Sequence, residues 1–434
     1  MIYGNNNHKL RRNFLFKLHH LMKLLIAIPA LNEEESIADI IERSIAARDH
    51  IISNTPLTNV DITVVSDGST DSTVEIASKY LDSIHLIVFE KNKGYGAAIK
   101  EAWNQSDAEL LSFLDADGTC DPLFFTDLCN LILETDSDIV LGSRLNKNSE
   151  MPLIRWIGNS IFAFLLSFLS SKKIKDTASG MRVVHRKSLP DIMPLPDGLH
   201  FTPAMSARAV LHEDLLIEEI DMPYREREGE SKLSVWKDGI RFLKVILESS
   251  FLYRPDRILE VLSFIVLIIG VSILVLPTVH YIINGSLEEW MIYRLITGNL
   301  LGILFLILLI GAYLSKRIIR ITLLKNQQPG SIETGLIYHF FSSNYPIILA
   351  IIISFLGIYL IKDSLLDRLT SGNTDEHWSR YITMSFFLSS AFLLLVSKII
   401  DYILNLVQDR VSYLRSDLFY TYKNTSKKAK DLNL

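Results

Sequence analysis

The sequence predicts an α/β domain, a mostly parallel sheet with helices on both faces, followed by an all-α transmembrane domain. Three observations carry this. Short apolar runs alternate with helical stretches over residues 23–143. The residues closing those runs are polar and turn-forming. Beyond residue 257 come long runs without a charge. A chain of 434 residues has room for two or three domains. With 49% hydrophobic against 21% charged residues and a mean hydropathy of +0.25, it is not a disordered chain. A net charge of −5 argues against a nucleic-acid binder.

The first 22 residues hold Lys9, Arg11, Arg12 and Lys17 and no acid. Lys17, His19 and His20 interrupt the apolar core that a signal peptide needs. Residues 1–22 are therefore expected to form a basic arm, disordered or lying on anionic lipid. The α/β domain, 23–233, follows. Strands are expected over 24–28, 62–65, 84–89, 110–114 and 139–141, with helices over 32–48, from 72, and over 96–103. Strands joined by crossover helices run parallel. Ligands of such sheets bind beyond the carboxyl ends of the strands.

Those ends are polar: Pro29-Ala30-Leu31-Asn32-Glu33, Ser66-Asp67-Gly68-Ser69-Thr70-Asp71, Asn92-Lys93-Gly94-Tyr95-Gly96, Asp115-Ala116-Asp117-Gly118 and Gly142-Ser143-Arg144. Any one alone is ordinary turn chemistry. Five on one edge point to a site. Asp115 and Asp117, two apart at the end of an extended strand, can face the same way. Paired hard oxygens suit Mg²⁺ or Mn²⁺ bridging a diphosphate. Asp67 suits a nucleobase or ribose, since it would repel a phosphate. Cys120 and Cys129 are too few for a disulfide framework or a zinc site and are expected to be reduced, partly buried thiols.

Four apolar runs, about 258–283, 295–314, 340–361 and 381–400, are expected to span a membrane within a domain of 258–405. The fourth requires Lys398 to snorkel to the interface. Pro277 and Pro346 lie near segment ends, where proline costs a helix least. Lys316, Arg317, Arg320 and Lys325 sit between the second and third runs, and the tail, 406–434, is basic. The positive-inside rule then places the α/β domain and both termini in the cytoplasm of a multi-pass cell (inner) membrane protein. Two further stretches, 154–169 and 234–251, are too short or too mixed to span. Trp236, Ile240, Leu243, Leu247 and Phe251 fall at helical spacing with Lys237, Arg241 and Lys244 opposite. Residues 234–257 are expected to form an amphipathic helix in the interface plane.

Pro29-x-x-Asn32-Glu33, Asp67-Gly68-Ser69-x-Asp71, Asn92-x-Gly94 and Asp115-x-Asp117 resemble the inverting nucleotide-sugar glycosyltransferases with a GT-A fold. Gly142-Ser143-Arg144, Asp176-Thr177-Ala178-Ser179-Gly180-Met181-Arg182 and Arg227-Glu228-Gly229-Glu230-Ser231-Lys232 are similar to motifs of the polyprenyl-phosphate glycosyltransferases of the dolichol-phosphate mannose synthase type. The resemblance covers about residues 23–255. It implies transfer of a sugar from a UDP- or GDP-linked donor to a polyprenyl phosphate, with inversion, at a membrane. It assigns Pro29, Asn32, Glu33, Asp67, Gly94, Asp115, Ala116 and Asp117 to the nucleotide-sugar. Asp115 and Asp117 would hold the metal. Arg144, Arg155, Ser179, Arg182, Arg227, Ser231 and Lys232 would receive donor or acceptor phosphates, with Asp115, Asp117 and Arg227 counted as catalytic. Arginine forks match phosphate oxygens.

Three positions depart from the family pattern: Ser66 where a second acid is common, Thr119 where a side-chain amide commonly follows the acids, and Ala204 where a glutamate is usual. His212-Glu213-Asp214 invites a general-base reading, yet a phosphate acceptor, largely dianionic at neutral pH, needs little base. Rival readings are elongation of a glycolipid or polysaccharide, a non-catalytic membrane scaffold or transporter subunit, and a nicotinamide oxidoreductase using Gly94-Tyr95-Gly96 with Asp115. The extra spans leave room for a second copy of the chain or for a flippase partner.

Overall fold

The structure, a computed structural model, describes residues 22–147, 149–170, 172–224, 235–323, 335–364 and 377–431, with side chains of the last helix described as far as residue 414. It divides into two compact units, Met1–Tyr253 and Arg254–Leu434.

In the first unit, β1 (Lys23–Ala30), β2 (Asn59–Ser66), β3 (His85–Val88) and β4 (Leu110–Phe113) alternate with α1 (Ile37–Asn54), α2 (Thr73–Ser78) and α3 (Tyr95–Gln105). There follow α4 (Phe125–Thr135), β5 (Ile139–Ser143), α5 (Leu153–Leu169), β6 (Arg182–His185), α6 (Phe201–Leu211), β7 (Ile217–Asp221) and α7 (Val235–Tyr253). The sheet order is β3-β2-β1-β4-β6-β5-β7. All its neighbours pair in parallel except those of β6, which lies antiparallel between β4 and β5.

The centre of the sheet is buried on both faces, which is why β1 and β4 read as apolar runs, while the edge strands β3 and β7 are partly exposed. Along β1 the side chains alternate sides. Leu24, Ile26 and Ile28 join a core with α1 and α4, while Leu25 and Ala27 join a second core with Trp103 and Phe201. α1 begins at Ile37, later than the expected 32, because residues 31–36 form a loop at the sheet edge, whereas α2 and α3 begin within one residue of their expected starts. β6 and β7 were not anticipated. Because β6 runs backwards, its first residue, Arg182, lies at the same edge as the carboxyl ends of its neighbours and carries the 176–181 loop there.

α5 and α7 pack on each other, with Phe162 and Phe242 rings 6.1 Å apart. Their other faces are apolar and exposed: Ile161 and Phe164 on α5, the latter 71% exposed, and Trp236 (83%), Ile240 and Phe251 on α7. The expected spacing along 234–251 thus corresponds to one helix with an uncovered apolar stripe. α7 ends at Tyr253, short of the expected 257, and Pro255 opens the next helix, where its missing N–H costs nothing.

The second unit holds α8 (Pro255–Asn284), α9 (Ile292–Thr322), α10 (Leu336–Ser342), α11 (Tyr345–Leu360) and α12 (Trp378–Asp431). Three helical segments, Pro255–Asn284, Glu289–Thr322 and Trp378–Leu414, are long and apolar enough to cross a membrane. The third expected run is broken: α10 and α11 meet at 78°, with Pro346 in the first turn of α11. Pro277 lies inside α8 and not near its end. Lys398 is engaged within the unit. Its ammonium donates to the Phe341 carbonyl (3.0 Å) and to Asp401 Oδ2 (2.9 Å), capping α10 at the break. Asp401 also accepts from the Tyr313 hydroxyl at 2.5 Å, and Arg317 donates to Tyr338 (3.2 Å) and Asn405. Buried charges in an apolar unit need such partners.

Candidate active site

A cavity of about 500 Å³ opens at the carboxyl edge of the sheet, where a ligand is expected for this topology. Of the residues marked in the sequence, Pro29, Glu33, Asp67, Gly94, Asp115, Ala116, Asp117, Arg144 and Arg155 line it. Pro29 lies near the end of β1 and the others in loops that follow strands, except Arg155, which sits in the first turn of α5. A cation there opposes the helix dipole, so helix stability does not explain it. Arg227, Ser231 and Lys232 lie outside the described residues, while Tyr224 and Asp238 on either side of that stretch both line the cavity.

Three marked residues do not line the cavity. Asn32 takes a left-handed conformation (φ 49°) and accepts from the Thr70 N–H (2.8 Å), while its own N–H donates to Ser69 Oγ (3.1 Å). It ties the loop after β1 to the loop after β2. Asp71 does the same, accepting from Thr73 and from the Glu34 N–H. The Ser179 hydroxyl is buried and donates to the Gly142 carbonyl (2.6 Å). Arg182 is fully buried and donates to the carbonyls of Ser179 and Thr177, both at 3.0 Å. It braces the 176–181 loop from behind and has no surface to offer a phosphate. The motif keeps these residues because the loops need them.

Arg144 is partly engaged already. Its Nε and Nη2 grip Asp176 at 2.8 and 2.9 Å, leaving Nη1 outside the pair, and its guanidinium lies over the Tyr224 ring at 5.5 Å. Asp176 also accepts from Asn159 (2.6 Å) and the Ala178 N–H (3.1 Å). Burial pushes this carboxyl upward, but Arg144 and the hydrogen bonds outweigh it and lower the group to about 2. Asp67 accepts from the N–H groups of Lys93 (2.7 Å) and Gly94 (2.9 Å), which holds the loop after β3 in place.

Asp115 and Asp117 sit differently. Asp115 Oδ1 accepts from the Tyr95 hydroxyl at 2.6 Å. Asp117 Oδ1 accepts from the Thr119 hydroxyl at 2.7 Å and the Thr119 N–H at 3.2 Å. Arg43 of α1 pins the loop behind them, donating to the carbonyls of Gly118 (3.2 Å) and Cys120 (3.1 Å). Burial and then Asp115 hold the Tyr95 phenol well above its ordinary range, so it stays a donor.

Among the described residues no group of three or more His, Cys, Asp or Glu side chains could hold a metal alone. Two carboxylates in an open cleft fit a hard cation that takes its remaining oxygens from substrate phosphates and water. Cys120 and Cys129 are free and buried, as expected. His212 packs on Tyr253 at the end of α6, away from the cavity lining. Ala204 is in the core, with no room for an acid. The cavity also holds residues to which the sequence assigned no site role: Tyr95, Asn159, Asp238 and Arg241, together with Thr119, noted there only as a departure from the family pattern. No single-residue signal distinguishes these from ordinary helix and turn positions.

Fold and site together define a transferase of nucleotide-activated sugars. The family model for Glycosyl transferase family 2 matches residues 25–193. A Haloferax volcanii protein, low-salt glycan biosynthesis hexosyltransferase Agl6, is 31% identical over 298 residues, 67% of this chain and 68% of that one. The dolichyl-phosphate hexose transferase of the same organism is 32% identical over 52% of this chain and 92% of its own. The undecaprenyl-phosphate 4-deoxy-4-formamido-L-arabinose transferase of Photorhabdus laumondii is 27% identical over 62% and 79%. Among solved structures, glucosyl-3-phosphoglycerate synthase of Mycobacterium tuberculosis overlaps with a TM-score of 0.44 and 16% identity, over 55% of this chain and 81% of that one. The chain belongs to glycosyl transferase family 2 and is a glycosyltransferase.

Proposed function

We propose that the chain moves a sugar from a nucleoside-diphospho-sugar to the phosphate of a polyprenyl lipid, with inversion at the anomeric carbon. The observation that carries this is the joining, within one unit, of a cavity that holds Asp115, Asp117, Arg144 and Arg155 at the sheet edge to two helices with uncovered apolar faces. α5 and α7 both line that cavity and both present apolar side chains outward. A water-soluble donor and a lipid acceptor need such a place to meet. Two relatives, by their names, act on dolichyl and undecaprenyl phosphates.

In this reading Pro29, Glu33, Asp67 and Gly94 border the nucleoside, and Ala116 lies between the acids at the diphosphate. An oxygen of the lipid phosphate attacks the anomeric carbon as the bond from that carbon to the nucleoside diphosphate breaks. Asp115 and Asp117 would hold Mg²⁺ or Mn²⁺, which when bound neutralises charge on the departing diphosphate. Arg144 and Arg155, which line the cavity, would receive the phosphates, a role also assigned to Arg227, Ser231 and Lys232, which lie outside the described residues. These residues position two anions and screen their repulsion, which is most of the catalytic work. The acceptor is already a nucleophile. The α/β domain and both termini lie on the cytoplasmic side, where nucleotide-sugars are found, and the basic ends face anionic lipid.

The test is to incubate membranes containing the protein with a panel of radiolabelled UDP- and GDP-sugars. One donor should give an acid-labile, solvent-extractable lipid product. Label appearing only in an acid-stable glycolipid or polymer would replace the acceptor, and no label from any donor would overturn the reading.

A further inference from the structure

We infer that Tyr95 and Thr119 are positioning residues for the two acids, each fixing one carboxylate oxygen so that the pair meets its cation already oriented. This rests on the metal assignment proposed above. Tyr95 opens α3, and its direction is set by Gly94 before it. Gly94 has φ +110°, and a Cβ there would come within 2.4 Å of the Asp197 carbonyl oxygen, so only glycine fits. The Tyr95 ring is held edge-on by Phe113 (6.3 Å) and Phe201 (6.4 Å). Its hydroxyl donates to Asp115 Oδ1 at 2.6 Å. The other side of that carboxylate is closed by Gly180, where a Cβ would stand 1.9 Å from Oδ2. Asp115 is thus clamped between a phenol and a bare stretch of backbone.

Thr119 does the equivalent for Asp117, with hydroxyl and N–H both on Oδ1. Arg43 holds the backbone on both sides of Thr119, at Gly118 and Cys120. Thr119 occupies the place where the family pattern has an amide, yet its hydroxyl is turned onto the acid. It therefore acts through Asp117 and not as a ligand. Hydrogen bonds that orient ligating carboxylates raise metal affinity by removing the freedom binding would otherwise have to quench.

The experiment measures Mn²⁺ binding by the purified full chain in detergent with UDP or GDP present, from the electron paramagnetic resonance signal of free Mn²⁺, without turnover. Tyr95→Phe, which keeps the ring, and Thr119→Val, which keeps the shape, should each weaken Mn²⁺ by about 10-fold or more, the range for such bonds. Thr119→Ser should restore the affinity, and the melting temperatures of all three should match the unaltered chain. Unchanged Mn²⁺ affinity in Tyr95→Phe and Thr119→Val overturns the inference while leaving the metal assignment in place. Absence of Mn²⁺ binding by the unaltered chain removes both. If Thr119→Ser binds as weakly as Thr119→Val, the hydroxyl is not the cause and the Thr119 half fails.

Discussion

Asp115 and Asp117 differ from the other acids at the sheet edge in what already holds them. Asp67 is taken up by the Lys93 and Gly94 N–H groups, Asp71 by Thr73 and the Glu34 N–H away from the cavity lining, and Asp176 by Arg144, whereas Asp115 accepts from the Tyr95 hydroxyl, Asp117 from Thr119, and both line the cavity. Replacing Asp117 by Asn should lower transfer by about 100-fold or more, as expected for removing a charge-stabilising group from a site of this kind. The melting temperature should not move. Asp176 behaves oppositely. Its folded value of about 2 lies below the ordinary 3.8, so it stabilises the fold above about pH 3.8, and that contribution fades as pH falls toward 2. Denaturant titrations at pH 7, 4 and 3 should show the loss, and Asp176→Asn should flatten it. Burial pushes the Cys120 thiol up to about 12 and Cys129 higher still, so neither should react with maleimide at pH 8 until the chain is unfolded. Spacing alone marked Asp115 and Asp117, the proposed metal-holding acids, because a strand end places them. It could not separate Asn32, Ser179 and Arg182, which knit or brace loops, from residues that face the cavity, since both kinds keep a motif intact.

At the scale of elements, the parallel strands were legible because burial on both faces leaves continuous apolar runs. β6 was not. Its four residues, Arg182–His185, follow directly on the polar 176–181 loop and are too few to show a periodicity. β7, IEEID, is only half buried and carries no apolar run. α7 was legible from helical spacing and α5 as a short apolar stretch, although sequence alone could not say whether their apolar faces are covered. The structure leaves them uncovered within their unit. Replacing Ile161 and Phe164 together by Ser should raise KM for a long-chain polyprenyl phosphate several-fold. A short, soluble prenyl phosphate should be used as before, because it owes nothing to the apolar faces. Equal effects on both acceptors would assign the two side chains to folding.

For the whole molecule, the parity of membrane crossings matters most. Three long helices alone would put the tail of α12 on the opposite side from the α/β domain, and counting the bent pair as a fourth crossing returns it to the same side. The distribution of Lys and Arg favours four. A single cysteine introduced at Asn424 in the otherwise unreactive chain should be labelled by an impermeant maleimide only after the cells are opened. Labelling of intact cells would make α10 and α11 a re-entrant pair. The central claim is that the acceptor is a lipid phosphate, and ³¹P NMR of the purified chain with polyprenyl phosphate and its nucleotide-sugar tests it most directly. The phosphomonoester signal should fall as a phosphodiester signal rises in step with released nucleoside diphosphate. Consumption of the donor with the monoester signal unchanged would contradict it.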